Sequence, residues 1–88
     1  MTPTEVERHV VAVLDEVLSL NGRSASFERD TPLLGSLPEL DSMAVVAVIT
    51  TIEERIGITM NDDEIDGNTF ATLGSLTDYV DAKLRNVA

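Results

Sequence analysis

"LDSMAVVAVITTIEERIG" (residues 40–57) contains the longest purely apolar run of the chain, "MAVVAVI", and carries a marker at each end. Asp41 belongs to the residue types that cap helix N-termini, because a carboxylate oxygen accepts one of the unpaired first-turn N–H groups. Gly57 suits the left-handed residue that closes a helix. The spacing therefore predicts a helix from an Asp41 N-cap to about Ile56. At about 100° per residue, Val45, Val48, Ile49, Ile52 and Ile56 share one face and are expected in the core. Met43, Ala47, Thr50, Thr51 and Glu54 fall opposite, which leaves Met43 and Ala47 apolar yet exposed to solvent.

Upstream, "TPTE" (2–5) combines Thr2 as N-cap, Pro3 at the first helical position and Glu5 closing a capping box. Val6, Val10, Val13, Leu14 and Val17 follow as one stripe of 3.6-residue period, and Asn21-Gly22 suits a left-handed cap. This predicts a first helix over about 3–20. Residues 22–40 hold Gly22, Pro32, Gly35 and Pro38 with no sustained period, a long connection for a small domain. Phe27, Leu33, Leu34 and Leu37 are its expected anchors. "NDDEI" (61–65) suggests a short helix with Ile65 as a core contact. "SLTD" (75–78) offers Ser75 as the N-cap of a last helix, whose stripe is Leu76, Tyr79, Val80, Leu84 and Val87, with Phe70 and Leu73 beneath it. The expected fold is all-α: a small four-helix bundle, three long helices and one short, in a single domain over residues 1–88.

Eighty-eight residues with 43% apolar content can bury one core, and three aromatics (Phe27, Phe70, Tyr79) make that core aliphatic. Sixteen acids against six bases give a net charge of −10, a field that repels phosphate backbones and anionic headgroups. Neither nucleic acid nor a membrane surface is an expected partner. Eight acids and one base (Arg55) lie between Glu39 and Asp66, which places −7 of the −10 there. No stretch approaches the roughly 20 apolar residues of a membrane span. The N-terminal residues lack the basic and apolar regions of a secretory signal, so a cytoplasmic location is expected.

Catalysis by this chain is not expected. No cysteine exists for thiolate chemistry or disulfides. His9, the only histidine, has no cysteine to join it in a metal site, and the glycines are scattered rather than grouped into a phosphate loop. "DDEIDGNTFATL" (62–73) imitates a calcium loop at its positions one, three, five and six. Its twelfth position is Leu73, however, where a bidentate glutamate is required, so no metal ligand set is assigned.

The remaining candidate is Asp41-Ser42-Met43. Taken alone, Asp-Ser followed by Leu or Met arises by chance in roughly one chain in 25 of this length, and helix capping explains the pair. Over most of its length, however, the sequence resembles the acyl carrier proteins, whose Asp-Ser-Leu motif carries 4'-phosphopantetheine on the serine. "TPLLGSLPELDSM" (31–43) matches the loop entering the second helix. "VITTIEERIGITMNDDEI" (48–65) matches the end of that helix through the short third one, and "TFATLGSLTDYVDAKL" (69–84) matches the close of the pattern.

The resemblance implies that a phosphopantetheinyl transferase attaches 4'-phosphopantetheine from coenzyme A to Ser42, with Asp41 helping that enzyme engage. The thiol of the arm then carries acyl groups as thioesters between ligase, synthase or acyltransferase enzymes, in lipid or secondary-metabolite biosynthesis. A stand-alone monomer that is a substrate of enzymes, not an enzyme, is expected. Met43 replaces the usual Leu. Alanines occupy the first half of the second helix, where many carriers place acids, and Glu39, Asp41, Glu53 and Glu54 flank it. A partner surface with Met43 and Ala47 at its centre and Glu39, Glu53 and Glu54 at its rim is one reading; ordinary tolerance of alanine is the other. Val45, Val48, Ile49, Ile52, Leu34, Leu37, Ile65 and Leu73 fit the walls of a cavity for the acyl chain and fit a filled core equally. An unmodified acidic adaptor, and a carrier of aminoacyl rather than fatty acyl groups, are the alternatives.

Overall fold

The computed structural model describes residues 2–61 and 65–85. Among them every regular element is helical: α1 (Pro3–Leu18), α2 (Ser42–Ile52) and α3 (Leu73–Arg85), with a short 3-10 turn at Arg23–Ser26. The short helix expected at 61–65 falls on residues 62–64, outside the described residues, as does Val87 of the last stripe.

α1 begins as its sequence dictates. Thr2 Oγ1 accepts the Glu5 N–H and Glu5 Oε1 accepts the Thr2 N–H, both at 3.2 Å, a complete capping box. The helix ends two residues before the predicted boundary. Asn21 (φ 54°) and Gly22 (φ 87°) are left-handed as expected, but Ser19 (φ 54°) takes that conformation two residues earlier and caps the helix, with the Leu20 N–H reaching back to the Asp15 carbonyl. That turn drives Leu20 into the core, and burial of an apolar residue just past the cap is the usual companion of this bond pattern. Asp15 then accepts the Gly22 N–H and the Ser24 hydroxyl, securing the 3-10 turn.

α2 starts on Asp41 and extends beyond Ile52 through a wider π-helical turn, Glu53–Gly57. Gly57, at φ 83°, ends the winding at the expected residue. Val48 and Ile52 are fully buried, and Val45, Ile49 and Ile56 pack partly against the same core. On the other side Met43, Ala47, Thr50 and Glu54 are exposed. Thr51 is half-buried, its hydroxyl bonded to the Ala47 carbonyl.

α3 begins earlier than expected. Thr72 and Ser75 exchange hydrogen bonds, the Ser75 N–H to Thr72 Oγ1 (3.1 Å) and the Thr72 N–H to Ser75 Oγ (3.0 Å). Ser75 is therefore the third helical residue answering a Thr72 cap, rather than the cap itself. Leu73, Leu76 and Val80 are fully buried or nearly so, while Tyr79 and Leu84 pack at the margin.

α1 packs against both α2 and α3. The long connection is held by an antiparallel backbone ladder along the entry to α3. Leu33 N–H bonds Ala71 O, Leu34 N–H bonds Phe70 O, Leu73 N–H bonds Thr31 O, and Gly74 N–H bonds Arg29 O, at 2.8–3.0 Å. A side chain at Gly74 would meet the Arg29 carbonyl at 3.0 Å, a tight contact, so this approach of two backbones favours glycine. Of the four expected loop anchors, Leu33 is fully buried and Phe27 and Leu37 are half-buried. Leu34 is exposed, a correction: the ladder turns consecutive side chains to opposite sides, so burying Leu33 sends Leu34 outward.

Candidate functional site

Ser42 is the first residue of α2, and the loop before it is tied down so that the helix starts there. Leu40 is buried and Val45 packs partly against the core, the two positions at which a hydrophobic staple fixes the entry of the chain. Asp41 between them is extended (φ −98°, ψ −176°), and its Oδ1 accepts the Ala44 N–H at 2.8 Å. The Val45 N–H closes on the Asp41 carbonyl at 2.9 Å. Of the first-turn amides, those of Ser42 and Met43 have no partner among the described residues.

Ser42 is exposed, and no described residue holds its hydroxyl in a hydrogen bond. A surface pocket of about 320 Å³ opens beside it, lined by Leu34, Val45, Ile65 and Phe70 together with Asp41, Ser42, Asp66 and Gly67. Four apolar side chains thus line a cleft that shares its wall with a free hydroxyl. Asp66 is occupied locally, accepting the Asn68 N–H at 2.9 Å and the Thr69 N–H at 3.2 Å. Leu73, the calcium-loop mismatch, is buried at the start of α3.

A sequence profile of the phosphopantetheine attachment site matches residues 8–80. The chain is also similar to a holo acyl carrier protein from Nitrosomonas europaea, known from a solution NMR structure. Identity is 48%, 91% of this chain and 95% of that one are covered, and the TM-score is 0.84. This chain belongs to the acyl carrier protein family. Comparison with curated proteins returns no significant match. As a phosphopantetheine-carrying acyl carrier protein it is a carrier rather than an enzyme, and enzymes are its partners. Among its described residues no helix is long and apolar enough to cross a membrane.

The carrier's residues fit the group the family implies. The arm needs an accessible alcohol, donors for a phosphodiester and no backbone in the way. Ser42 offers the alcohol and the free amides of Ser42 and Met43 the donors, at the positive end of the α2 dipole.

The other expected site residues separate into two groups. Met43 and Ala47 are exposed on α2 within one and two turns of Ser42. The flanking acids are largely engaged. Glu39 pairs with Arg23, and its own backbone N–H, then the Arg23 guanidinium, hold its carboxyl below the usual carboxylate range. Glu53 Oε2 accepts the Met60 N–H at 2.8 Å, folding the chain back after Gly57. Of the residues expected as cavity walls, Leu34, Val45 and Ile65 line the pocket, whereas Val48, Ile52 and Leu73 are sealed in the core. Leu37 and Ile49 are half-buried elsewhere.

Sequence reasoning missed Phe70, Asp66 and Gly67 as pocket lining, Val46 as a 62% exposed residue and Leu40 as a buried one. The Leu40–Val45 spacing around Asp41 was available as a staple signal, and Val46 stands three residues after Met43. Phe70, Asp66 and Gly67 carried no sequence signal as pocket lining, because tertiary packing alone brings residues 66–70 to α2.

Proposed function

We propose that Ser42 is where this carrier takes its 4'-phosphopantetheine. A phosphopantetheinyl transferase acts as loading enzyme, with coenzyme A as donor. The observation that carries the reading is an exposed hydroxyl on the first residue of α2, without a hydrogen-bond partner among the described residues, sharing a wall with a pocket of about 320 Å³. When bound, the group supplies a thiol that holds the cargo as a thioester. Asp41 fixes the serine by capping α2 and keeps its second carboxylate oxygen for the transferase. The Ser42 and Met43 amides receive the phosphodiester, where the helix dipole favours negative charge. Leu34, Val45, Ile65 and Phe70 offer an apolar shelter to the cargo, at the small end of the roughly 300–1,000 Å³ typical of ligand pockets.

The four hydrocarbon walls suit an acyl cargo, whereas Asp41 and Asp66 in the same lining offer charge partners to the ammonium of an aminoacyl one. Ligases, synthases or acyltransferases of lipid or secondary-metabolite biosynthesis would pass the cargo on. A fourth, short helix over 61–65, a monomeric state and a cytoplasmic setting complete the reading. They rest on the acidic first-turn residues with Ile65, on the net charge of −10, and on the coenzyme A that loading consumes.

Mass spectrometry tests it. Incubation with a phosphopantetheinyl transferase and coenzyme A should add one phosphopantetheinyl group per chain, and Ser42→Ala should add none while melting like the parent. An adduct that survives Ser42→Ala, or an unmodified parent chain, refutes the assignment; the second result would favour the adaptor reading.

A further inference from the structure

The chain has no cysteine and no tryptophan, so the side chains most open to oxidation are its methionines, Met1, Met43 and Met60. Met1 lies outside the described residues. The other two have opposite surroundings. Met60 is 4% accessible and belongs to the core, where an oxidant reaches the sulfur only when the bundle opens. Met43 is 80% accessible, the most exposed of the large apolar side chains among the described residues, and takes no part in the core. It also adjoins Ser42 on the first turn of α2, where its backbone N–H is one of the two free donors.

That placement makes the Met43 sulfur reachable by hydrogen peroxide without unfolding. The sulfur gives an electron pair to one peroxide oxygen: an S–O bond forms and the O–O bond breaks. The hydrogen on the transferred oxygen passes to the departing one, which leaves as water. The methionine is oxidised by two electrons to a sulfoxide, and the peroxide is reduced. A dithiol-dependent methionine sulfoxide reductase reverses the change, releasing the oxygen as water and ending as a disulfide. The net charge stays at −10 and no core contact is lost, so neither self-repulsion nor folding is altered. Only the surface beside Ser42 changes, from a flexible apolar side chain to a polar, strongly accepting one. An enzyme that closes over the Ser42 hydroxyl also covers the adjoining side chain. It must then strip water from the sulfoxide oxygen without a donor placed to receive it.

Resting on the reading of Ser42 as attachment point, we infer that Met43 is a reversible oxidation site, and that its sulfoxide slows the loading of Ser42. The oxidant is hydrogen peroxide and the reductant a dithiol. Met60, shielded in the core, is the internal control for selectivity.

The apo chain serves for the test, because the arm of the loaded form brings a further oxidisable sulfur. After hydrogen peroxide treatment, peptide mapping by mass spectrometry should find Met43 gaining one oxygen at least about tenfold faster than Met60. The chain oxidised at Met43 should melt like the untreated one. With the peroxide destroyed by catalase, loading by a phosphopantetheinyl transferase with coenzyme A should show kcat/KM lowered at least about fivefold, chiefly through KM. Methionine sulfoxide reductases with dithiothreitol should restore it. Each variant is compared with its own untreated sample. Met43→Leu should lose the response to peroxide although it keeps Met1 and Met60, and Met43→Gln, permanently polar at similar length, should load like the oxidised parent. Met60 oxidised as fast as Met43, loading indifferent to the oxygen on Met43, or a Met43→Leu chain still slowed by peroxide would each overturn the inference alone. A parent chain that is not loaded even before oxidation overturns the attachment reading and this inference together.

Discussion

Asp41 holds two roles that substitution can separate. Its Oδ1 accepts the Ala44 N–H at 2.8 Å, satisfying one of the unpaired donors at the start of α2. Alanine cannot accept that bond, and loss of such a cap costs about 1 kcal/mol. For a domain of this size that lowers the melting temperature by roughly 4–8 °C. Asparagine keeps an acceptor oxygen in the same place. Both variants remove one negative charge from the net −10, so the general change in self-repulsion is common to them, and their difference isolates the cap. Thermal unfolding followed by circular dichroism should therefore place Asp41→Ala several degrees below Asp41→Asn, with Asp41→Asn close to the parent. Loading measured on the same two proteins should be slow in both if the transferase uses the carboxylate. Equal melting temperatures for Ala and Asn would refute the capping argument. Undiminished loading of Asp41→Asn would confine Asp41 to the helix cap.

Three further outcomes follow from the packing and the charges. Leu33→Ala removes a fully buried side chain from the ladder that pins the long connection, and should lower stability by about 2–5 kcal/mol in denaturant unfolding; a loss below 1 kcal/mol would mean that the connection is not anchored there. Gly74→Ala drives a methyl to 3.0 Å from the Arg29 carbonyl and should cost about 1–3 kcal/mol, whereas Gly67→Ala, with open space around its Cβ, should cost much less; equal effects would contradict the close approach. The Glu5 carboxyl lies below its ordinary value of 4.5, chiefly because the Thr2 backbone N–H donates to it. Its contribution is complete above that value and is lost as pH falls through the lower folded-state one, so an NMR titration should find Glu5 with a midpoint below 4.5, and one at or above it would contradict the capping box.

The helices could be read from the chain because their causes are local. Thr2 and Glu5, Asp41 and Gly57, and the valine and isoleucine spacing of α2 act within a few residues of one another, and the structure keeps each of them. The two displaced boundaries mark where local signals compete. Asn21-Gly22 is a good cap, but burying Leu20 closes α1 at Ser19 first. Ser75 is a good cap, but Thr72 precedes it and the ladder to residues 29–33 fixes the helix start there.

The place of Ser42 at the head of an apolar helix was legible for the same local reason, while its role as a modified alcohol came from the resemblance to the acyl carrier proteins, since capping alone explains the Asp-Ser pair. Its surroundings were legible only in part. The resemblance named Leu34, Val45 and Ile65 among eight candidate walls, but which of the eight border Ser42, that Phe70 joins them, and that Glu39 is drawn to Arg23 all depend on contacts between residues distant in the chain, and periodicity carries no information about those. The sequence alone thus determined which segments wind into helices and which hydroxyl heads the second. Only the tertiary structure decided that this hydroxyl borders an apolar pocket, and that the acids near it are largely engaged, because pockets and ion pairs arise from through-space packing.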